Sequence, residues 1–264
     1  MAPVRTEAIV LRTFDWSETS LIAWVYTRQR GRLHLLAKGA RRPRSAFEGA
    51  LEPLVRGELV SYQRKGKAGD GLEIAKEFDP LDRHTGLRRD LARLYRGLYV
   101  GELLLQLSER ELVSEETFDA ASTALAALCQ EELGQLDRPL FRCELRLLRA
   151  AGISPRLDAC ARCGGALPGE GPLGFSPAAG GVLCAAHARQ ERTPLAVGRG
   201  ALRSLQALEE GVQVGLGGEV SRELRGLLDA FFTWHLERPL KLAGTLRELS
   251  AGAPPPGRAR AGRG

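Results

Sequence analysis

Along this chain the spacing of apolar positions changes once, near residue 80. Before it, apolar and polar residues alternate in short runs; after it, apolar residues recur every three or four positions. The first run, Val4 to Phe14, is rich in strand-forming residues and ends at the polar turn Asp15-Trp16-Ser17-Glu18. Ser20 to Thr27 is apolar at nearly every position, as expected of a strand buried on both faces. Gly31 and Gly39 bracket a third run, in which Leu33, Leu35 and Ala37 alternate with His34, Leu36 and Lys38. Leu54 to Lys67 gives a fourth strand ending in Arg64, Lys65 and Lys67, and after a Gly-rich turn Leu72, Ile74 and Phe78 share one face of a fifth. Five short strands with apolar faces must close on themselves or be covered, which predicts a five-stranded barrel of the oligonucleotide/oligosaccharide-binding (OB) type over residues 1–80.

Beyond Pro80 the pattern is helical. Leu91, Leu94, Tyr95, Leu98, Glu102 and Leu105 step along one stripe, and Leu103, Leu104 and Leu107 widen it, so this helix is expected to be covered on more than one side. Ser114 before Glu115 and Glu116 reads as an N-cap with acids in the first turn. The next helices carry Phe118, Ala121, Leu125, Leu128 and Cys129 inward, then, from Pro139 to Gly152, Leu140, Cys143, Leu147 and Leu148. Ala201 to Glu210 aligns Leu202, Leu205 and Leu208; Glu219 to Glu237 aligns Val220, Leu224, Leu227, Leu228, Phe231 and His235, with Phe232 and Trp234 assigned to the core. Cys129 and Cys143 lie on apolar stripes and read as small core residues. The chain is thus α+β: a barrel, a helical part over 81–250, and a tail, 251–264, of Pro, Gly, Ala and Arg expected to be disordered. Arg258, Arg260 and Arg263 of that tail would add non-specific affinity for nucleic acid.

Charge points to a partner. The net charge is +6, and its distribution is uneven: Thr27 to Phe47 holds Arg28, Arg30, Arg32, Lys38, Arg41, Arg42 and Arg44 without one Asp or Glu, while acids gather between 109 and 137. A basic segment with no neutralising carboxylate of its own fits a polyanion, with cations on a strand end and the following loop tracking a phosphate backbone. The plainer reading is a solvated basic loop. No apolar run approaches the roughly 18 residues of a membrane span, and Met1 to Glu7 offers no signal-peptide core, so a cytoplasmic, nucleoid-associated protein is the expectation.

The five cysteines divide into two core residues and a metal pattern. Cys160-Ala-Arg-Cys163 and Cys184-Ala-Ala-His187 are two C-x-x-(C/H) pairs separated by twenty residues. Each pair can form one tight turn aimed at a single ion, and three thiolates with an imidazole complete a tetrahedral zinc site. Such a site is closed, with no position for a substrate water, and is structural. It would staple residues 152–194, a Gly- and Pro-rich stretch with little core of its own. No Ser-centred elbow, phosphate-cradling Gly loop or H-E-x-x-H occurs, and His34, His84 and His235 are isolated, so nothing names a reaction.

The strings TEAIVLRTFDWSETS, TRQRGRLHLLAKGARRPRS, GALEPL, GISPRLDACARCGG, FSPAAGGVLC and ERPLK occur in that order, and the chain resembles the RecO family of bacterial DNA repair proteins from Val4 to about Leu249. The resemblance implies an N-terminal OB barrel, a helical domain with an inserted zinc-ribbon-like module, and a recombination mediator without catalysis. It further implies binding of single-stranded and duplex DNA, strand annealing, and work with SSB, RecR and often RecF to load RecA. The matching KGARR motif puts Lys38, Arg41 and Arg42 on the DNA face, joined by Arg44 through its charge, and the family's metal ligands fall on Cys160, Cys163 and Cys184. His187 stands where many relatives are expected to carry cysteine. Two competing readings are an enzyme of nucleic-acid metabolism that uses the barrel for capture, and an RNA-binding protein with a zinc ribbon.

Overall fold

The structure is a computed structural model and describes residues 3–47, 49–62, 71–107 and 113–250. Arg64, Lys65 and Lys67 and the C-terminal tail lie outside the described residues. Strands β1 (Pro3–Asp15), β2 (Leu21–Thr27), β3 (Gly31–Ala37), β4 (Arg56–Tyr62) and β5 (Glu73–Asp82) close a barrel in the order β1-β2-β3-β5-β4. All neighbours are antiparallel except β3 and β5, as the predicted OB architecture requires. Ala8, Val10, Ala23, Val25, Leu33, Leu35, Leu59 and Phe78 fill the interior.

Two irregularities set which side chains face out. In β1 the register slips between Val10 and Arg12, so Ile9 and Leu11 face the helices while Arg12 and Phe14 come opposite Trp24 and Ile22 of β2. In β5 an extra residue opposite Val60 and Ser61 turns the strand over: Glu73 and Ala75 point in, then Phe78 does. The expected common face of Leu72, Ile74 and Phe78 is therefore corrected, because a strand read with an uninterrupted period of two cannot register a bulge. The expectation that β2 is buried on both faces is corrected as well. Ala23 and Val25 point into the barrel and Tyr26 packs on the helices, but Ile22 and Trp24 are only half-buried.

A 3₁₀ turn, Thr85–Arg89, leads to α1 (Leu91–Leu107), α2 (Glu115–Gln130) and α3 (Asp137–Ala150). Ser114 caps α2, its hydroxyl accepting from the Thr117 N–H. The predicted stripe of α1 is rotated: Leu91 is exposed, and the buried face runs through Arg96, Tyr99, Val100, Leu103 and Leu104. Charged residues occupy core-facing positions there because each has a partner: Arg96 binds Asp137, and Glu102 accepts from the N–H groups of Lys241 and Leu242. Next come β6 (Leu173–Ser176), β7 (Gly181–Leu183), α4 (Ala185–Gln190), β8 (Leu195–Val197), α5 (Arg199–Glu209), α6 (Gly218–Leu236) and α7 (Ala243–Ser250). The small sheet runs β7-β6-β8. Phe231 and Phe232 join the helical core as predicted, whereas Trp234 is 58% exposed, because no residue of α6 beyond Phe232 is fully buried.

Ile9, Leu11, Tyr26 and Leu54 of the barrel belong to the same apolar cluster as Leu87, Val100 and Phe118, so barrel and helices share a packed junction. Cys129 and Cys143 are buried within that cluster, and burial pushes both thiols up from their ordinary range.

Candidate nucleic-acid interface and metal centre

The seven basic residues of Thr27 to Phe47 divide by position. Three are committed inside the chain. Arg28 lies 2.8 Å from Asp119 of α2 and 3.5 Å from Glu7, with its guanidinium 4.5 Å over the Phe118 ring. Arg32 donates to the carbonyl of Leu105 at 2.7 Å. Arg30 grips Glu73, which also accepts from Ser61. These side chains staple the barrel to α1 and α2 and tie β3 to β5. The premise that no partner neutralises their charge is thus corrected: the segment holds no acid, but folding supplies Glu7, Glu73 and Asp119 from elsewhere.

The remaining four sit at the open end of β3. Lys38, Arg42 and Arg44 are exposed and, among the described residues, form no ion pair. Arg41 pairs with Asp15, and its backbone N–H donates to Thr19, while the Gly39 N–H donates to the Ser20 hydroxyl. The turn between β1 and β2 and the loop after β3 are therefore tied into one rim. Gly39 makes the exit possible: its φ of +70° is a left-handed backbone that side chains disfavour. Next to the rim, the cross-strand rows Arg12–Trp24–His34 and Phe14–Ile22–Leu36 line the outside of the sheet. Trp24 stacks on His34 with centroids 4.5 Å apart, and Phe14 tilts against Trp24 at 5.3 Å. Of the aromatic residues near this face, Phe14 and Trp16 are exposed, whereas Phe47 is a core residue. Arg12, exposed beside Phe14, was not visible as a candidate, because only the bulge at Leu11 turns it outward.

The second candidate site is built from two turns. Cys160 accepts at its carbonyl from the Gly164 N–H and donates its own N–H to Gly165, which folds Cys160 to Cys163 into a knuckle. Cys184 caps α4 and His187 lies in its first turn, three residues on. The segment entering the first turn runs parallel to the one entering the second: the backbone of Arg156 pairs with Gly180 and Val182. Gly181 is obligatory there: a Cβ on it would stand 2.3 Å from the Arg156 carbonyl oxygen. One ligand atom from each of Cys160, Cys163, Cys184 and His187 lies within 4.8 Å of the others. A tetrahedral ion with metal–sulfur and metal–nitrogen bonds of ~2.3 and ~2.0 Å separates sulfur from nitrogen by about 3.5 Å. His187 Nδ1 stands 3.7 Å from Cys160 Sγ and 3.2 Å from Cys184 Sγ, which brackets that value. Burial raises the Cys160 thiol pKa, but N–H groups of Cys184, Cys163 and Arg162 outweigh it and bring the thiol down to about 6, favouring the thiolate a metal needs. The four residues thus form a cluster with the donor atoms and spacing to hold a metal ion.

His84 and His235 are structural. His84, with φ at 44°, donates from Nδ1 to the Leu54 carbonyl, and His235 donates to Phe231. Among the described residues no helix is long and apolar enough to cross a membrane.

Comparison with known proteins agrees with this layout. The family described as Recombination protein O N terminal matches residues 1–80, and that described as Recombination protein O C terminal matches residues 88–243. A DNA repair protein RecO of Anaeromyxobacter sp. (strain Fw109-5) is 39% identical over 257 residues, covering 93% of this chain and 96% of the relative. That of Myxococcus xanthus (strain DK1622) is 35% identical over 237 residues, covering 89% and 93%. With both family matches and full-length relatives above 30% identity, the chain belongs to the RecO family of DNA repair proteins and has a role in DNA repair and recombination.

Proposed function

We propose that the chain is a non-catalytic recombination mediator. It binds single-stranded and duplex DNA, anneals complementary strands and helps load RecA onto DNA coated with SSB, with RecR and RecF as further partners. The observation that carries this reading is the rim of Lys38, Arg42 and Arg44, exposed and without an ion-pair partner among the described residues at the mouth of a closed barrel. Annealing needs two polyanions held close without reading their bases, and backbone neutralisation by unpaired cations does that. Arg28, Arg30 and Arg32 support the barrel and are not assigned to DNA; Arg41 braces the rim. The 1–80 barrel would bind DNA, and the 81–250 helical part, with its 152–194 insert, would carry the protein partners.

The metal in this reading is a structural zinc held by Cys160, Cys163, Cys184 and His187. Four protein ligands leave no open position, so its contribution is to the folding of the insert.

The test is annealing of two complementary oligonucleotides, each coated with the cognate SSB, with and without the zinc-loaded protein. Acceleration that persists without Mg²⁺ or nucleotide, and is lost in the K38Q/R42Q/R44Q variant, is the expected result. No acceleration despite tight binding reduces the chain to a capture module, and preference for RNA over DNA of the same sequence selects the RNA-binding alternative.

A further inference from the structure

We propose that the hollow between Trp16 and the loop after β3 receives one unpaired nucleotide of single-stranded DNA, its base on the Trp16 indole and its flanking phosphates on Lys38 and Arg42. The inference deepens the DNA-binding reading and rests on it: that reading concerns the sugar–phosphate backbone, this one the bases.

Trp16 is 60% exposed, at the tip of a turn where a buried role is excluded. It lines a cavity of about 400 Å³ together with Ser17, Ser20, Leu36, Lys38 and Arg42. That volume falls within the roughly 300–1,000 Å³ of small-ligand clefts. The cavity thus joins one large flat apolar surface to two cations that form no ion pair among the described residues, which is the composition that suits a nucleotide and not a purely apolar or purely anionic ligand. Its walls are fixed in advance. Trp16 and Ser17 donate their N–H groups to the Ser20 carbonyl, closing the turn. Arg41 to Asp15, the Arg41 N–H to Thr19 and the Gly39 N–H to the Ser20 hydroxyl hold that turn against the basic loop. Binding therefore need not order the loops, which removes an entropic cost.

The surface continues beyond the cavity. The Phe14–Ile22–Leu36 row adjoins it, followed by Arg12–Trp24–His34, where Trp24 and His34 are already stacked on each other. Cations thus stand at both ends of an aromatic ledge: Lys38 and Arg42 at the rim, Arg12 at the far side. A strand laid along it has its one stacked base on Trp16 and its phosphates toward the cations at the two ends. In a duplex each base face is covered by its neighbours, so Trp16 has nothing to stack on; the hollow therefore selects unpaired strands. Pairing with an incoming complement withdraws the base from Trp16, which couples annealing to release.

The experiment compares binding of the zinc-loaded full chain to an oligodeoxythymidylate and to an abasic strand of equal length. The unaltered protein should bind the base-bearing strand roughly 5- to 150-fold more tightly, the range for one stacked base. W16A should lose this discrimination and keep its abasic affinity, and W16F should restore most of it. W16L, which keeps apolar bulk without an aromatic face, should behave as W16A does. Unchanged discrimination in W16A, or an equal loss on both strands, overturns the proposal. K38Q/R42Q reports on the parent reading separately: it should weaken both strands alike. Undiminished abasic binding in that variant removes the basic rim from the DNA face, whatever Trp16 does.

Discussion

Arg225 of α6 places its two terminal nitrogens 2.6 and 2.9 Å from the two carboxylate oxygens of Glu144 on α3, and solvent reaches neither side chain. The pair is enclosed by Tyr99, whose hydroxyl donates to Glu144 at 2.8 Å, and by Phe141, 4.6 Å below the guanidinium. Bidentate geometry with further hydrogen bonds is what a buried ion pair requires to offset its desolvation.

Breaking the pair from one side leaves a buried charge unmatched. R225M or E144Q should each lower unfolding free energy by about 3–5 kcal/mol, read by urea denaturation of the full chain. E144L/R225M should recover most of that loss, since two apolar residues of similar volume remove both desolvation costs. A double variant as unstable as the singles would mean that the pair specifies how α3 and α6 pack beyond its own charge.

Asp229, one turn beyond Arg225, behaves in the opposite sense to most carboxylates. Burial and the charge of Glu144 push its pKa up to about 6, against Arg225 and Arg247, which lower it. An unfolded aspartate titrates near ~3.9. Between those values the folded chain binds more protons than the unfolded one, so stability falls as pH rises from about 4 to about 6. D229N should flatten that window. The stability difference between variant and parent should change by on the order of 2 kcal/mol between pH 4 and pH 7 in urea titrations. An equal difference at both pH values would mean that Asp229 has an ordinary pKa in the fold.

Asp229 and Arg225 also mark where the amino-acid pattern stopped being readable. The barrel was legible because Leu33, Leu35 and Ala37 alternate between glycines, and α2 and α3 because Ser114, Pro139 and Gly152 mark their ends. The buried face of α1 was not, since Arg96 and Glu102 are made acceptable there by Asp137 and by the backbone of Lys241 and Leu242, far along the chain. Helix α7 went unrecognised because eight residues carry too little periodicity. The clustering of Cys160, Cys163, Cys184 and His187 was legible, as these residues lie in two short local turns. The basic segment was legible as charge but not as partition: partners for Arg28, Arg30 and Arg32 come from β1, β5, α1 and α2.

Metal removal should act on one part of the molecule. A chelator, or C160S, should open residues 153–197 to rapid amide exchange, since β6, β7 and β8 are three or four residues each and depend on the knuckles for alignment. Val182 and Phe175 pack into the helical core, so a drop in melting temperature should accompany the loss. H187C should retain the metal, because four thiolates satisfy the same tetrahedral geometry. Barrel amides protected as strongly without metal as with it would localise the effect; uniform loss of protection would instead make the ion a requirement for the whole chain.

The partition of the arginines predicts two separable classes of variant. If Lys38, Arg42 and Arg44 each neutralise one phosphate of a single strand, each contributes roughly 0.7 to the slope of log affinity against log salt. K38Q/R42Q/R44Q should therefore lower the slope by about 2, with an unaltered melting temperature, because these side chains are exposed and, among the described residues, form no ion pair. R32Q should do the reverse: it removes a donor from the Leu105 carbonyl at the junction of barrel and helices, at a cost of about 1–3 kcal/mol in stability, and leaves the slope as it was. R28Q should follow R32Q, since Asp119 and Glu7 already neutralise that guanidinium. A lowered slope in R28Q would show that DNA displaces Asp119 from Arg28, and would extend the interface from the rim to the junction with α2.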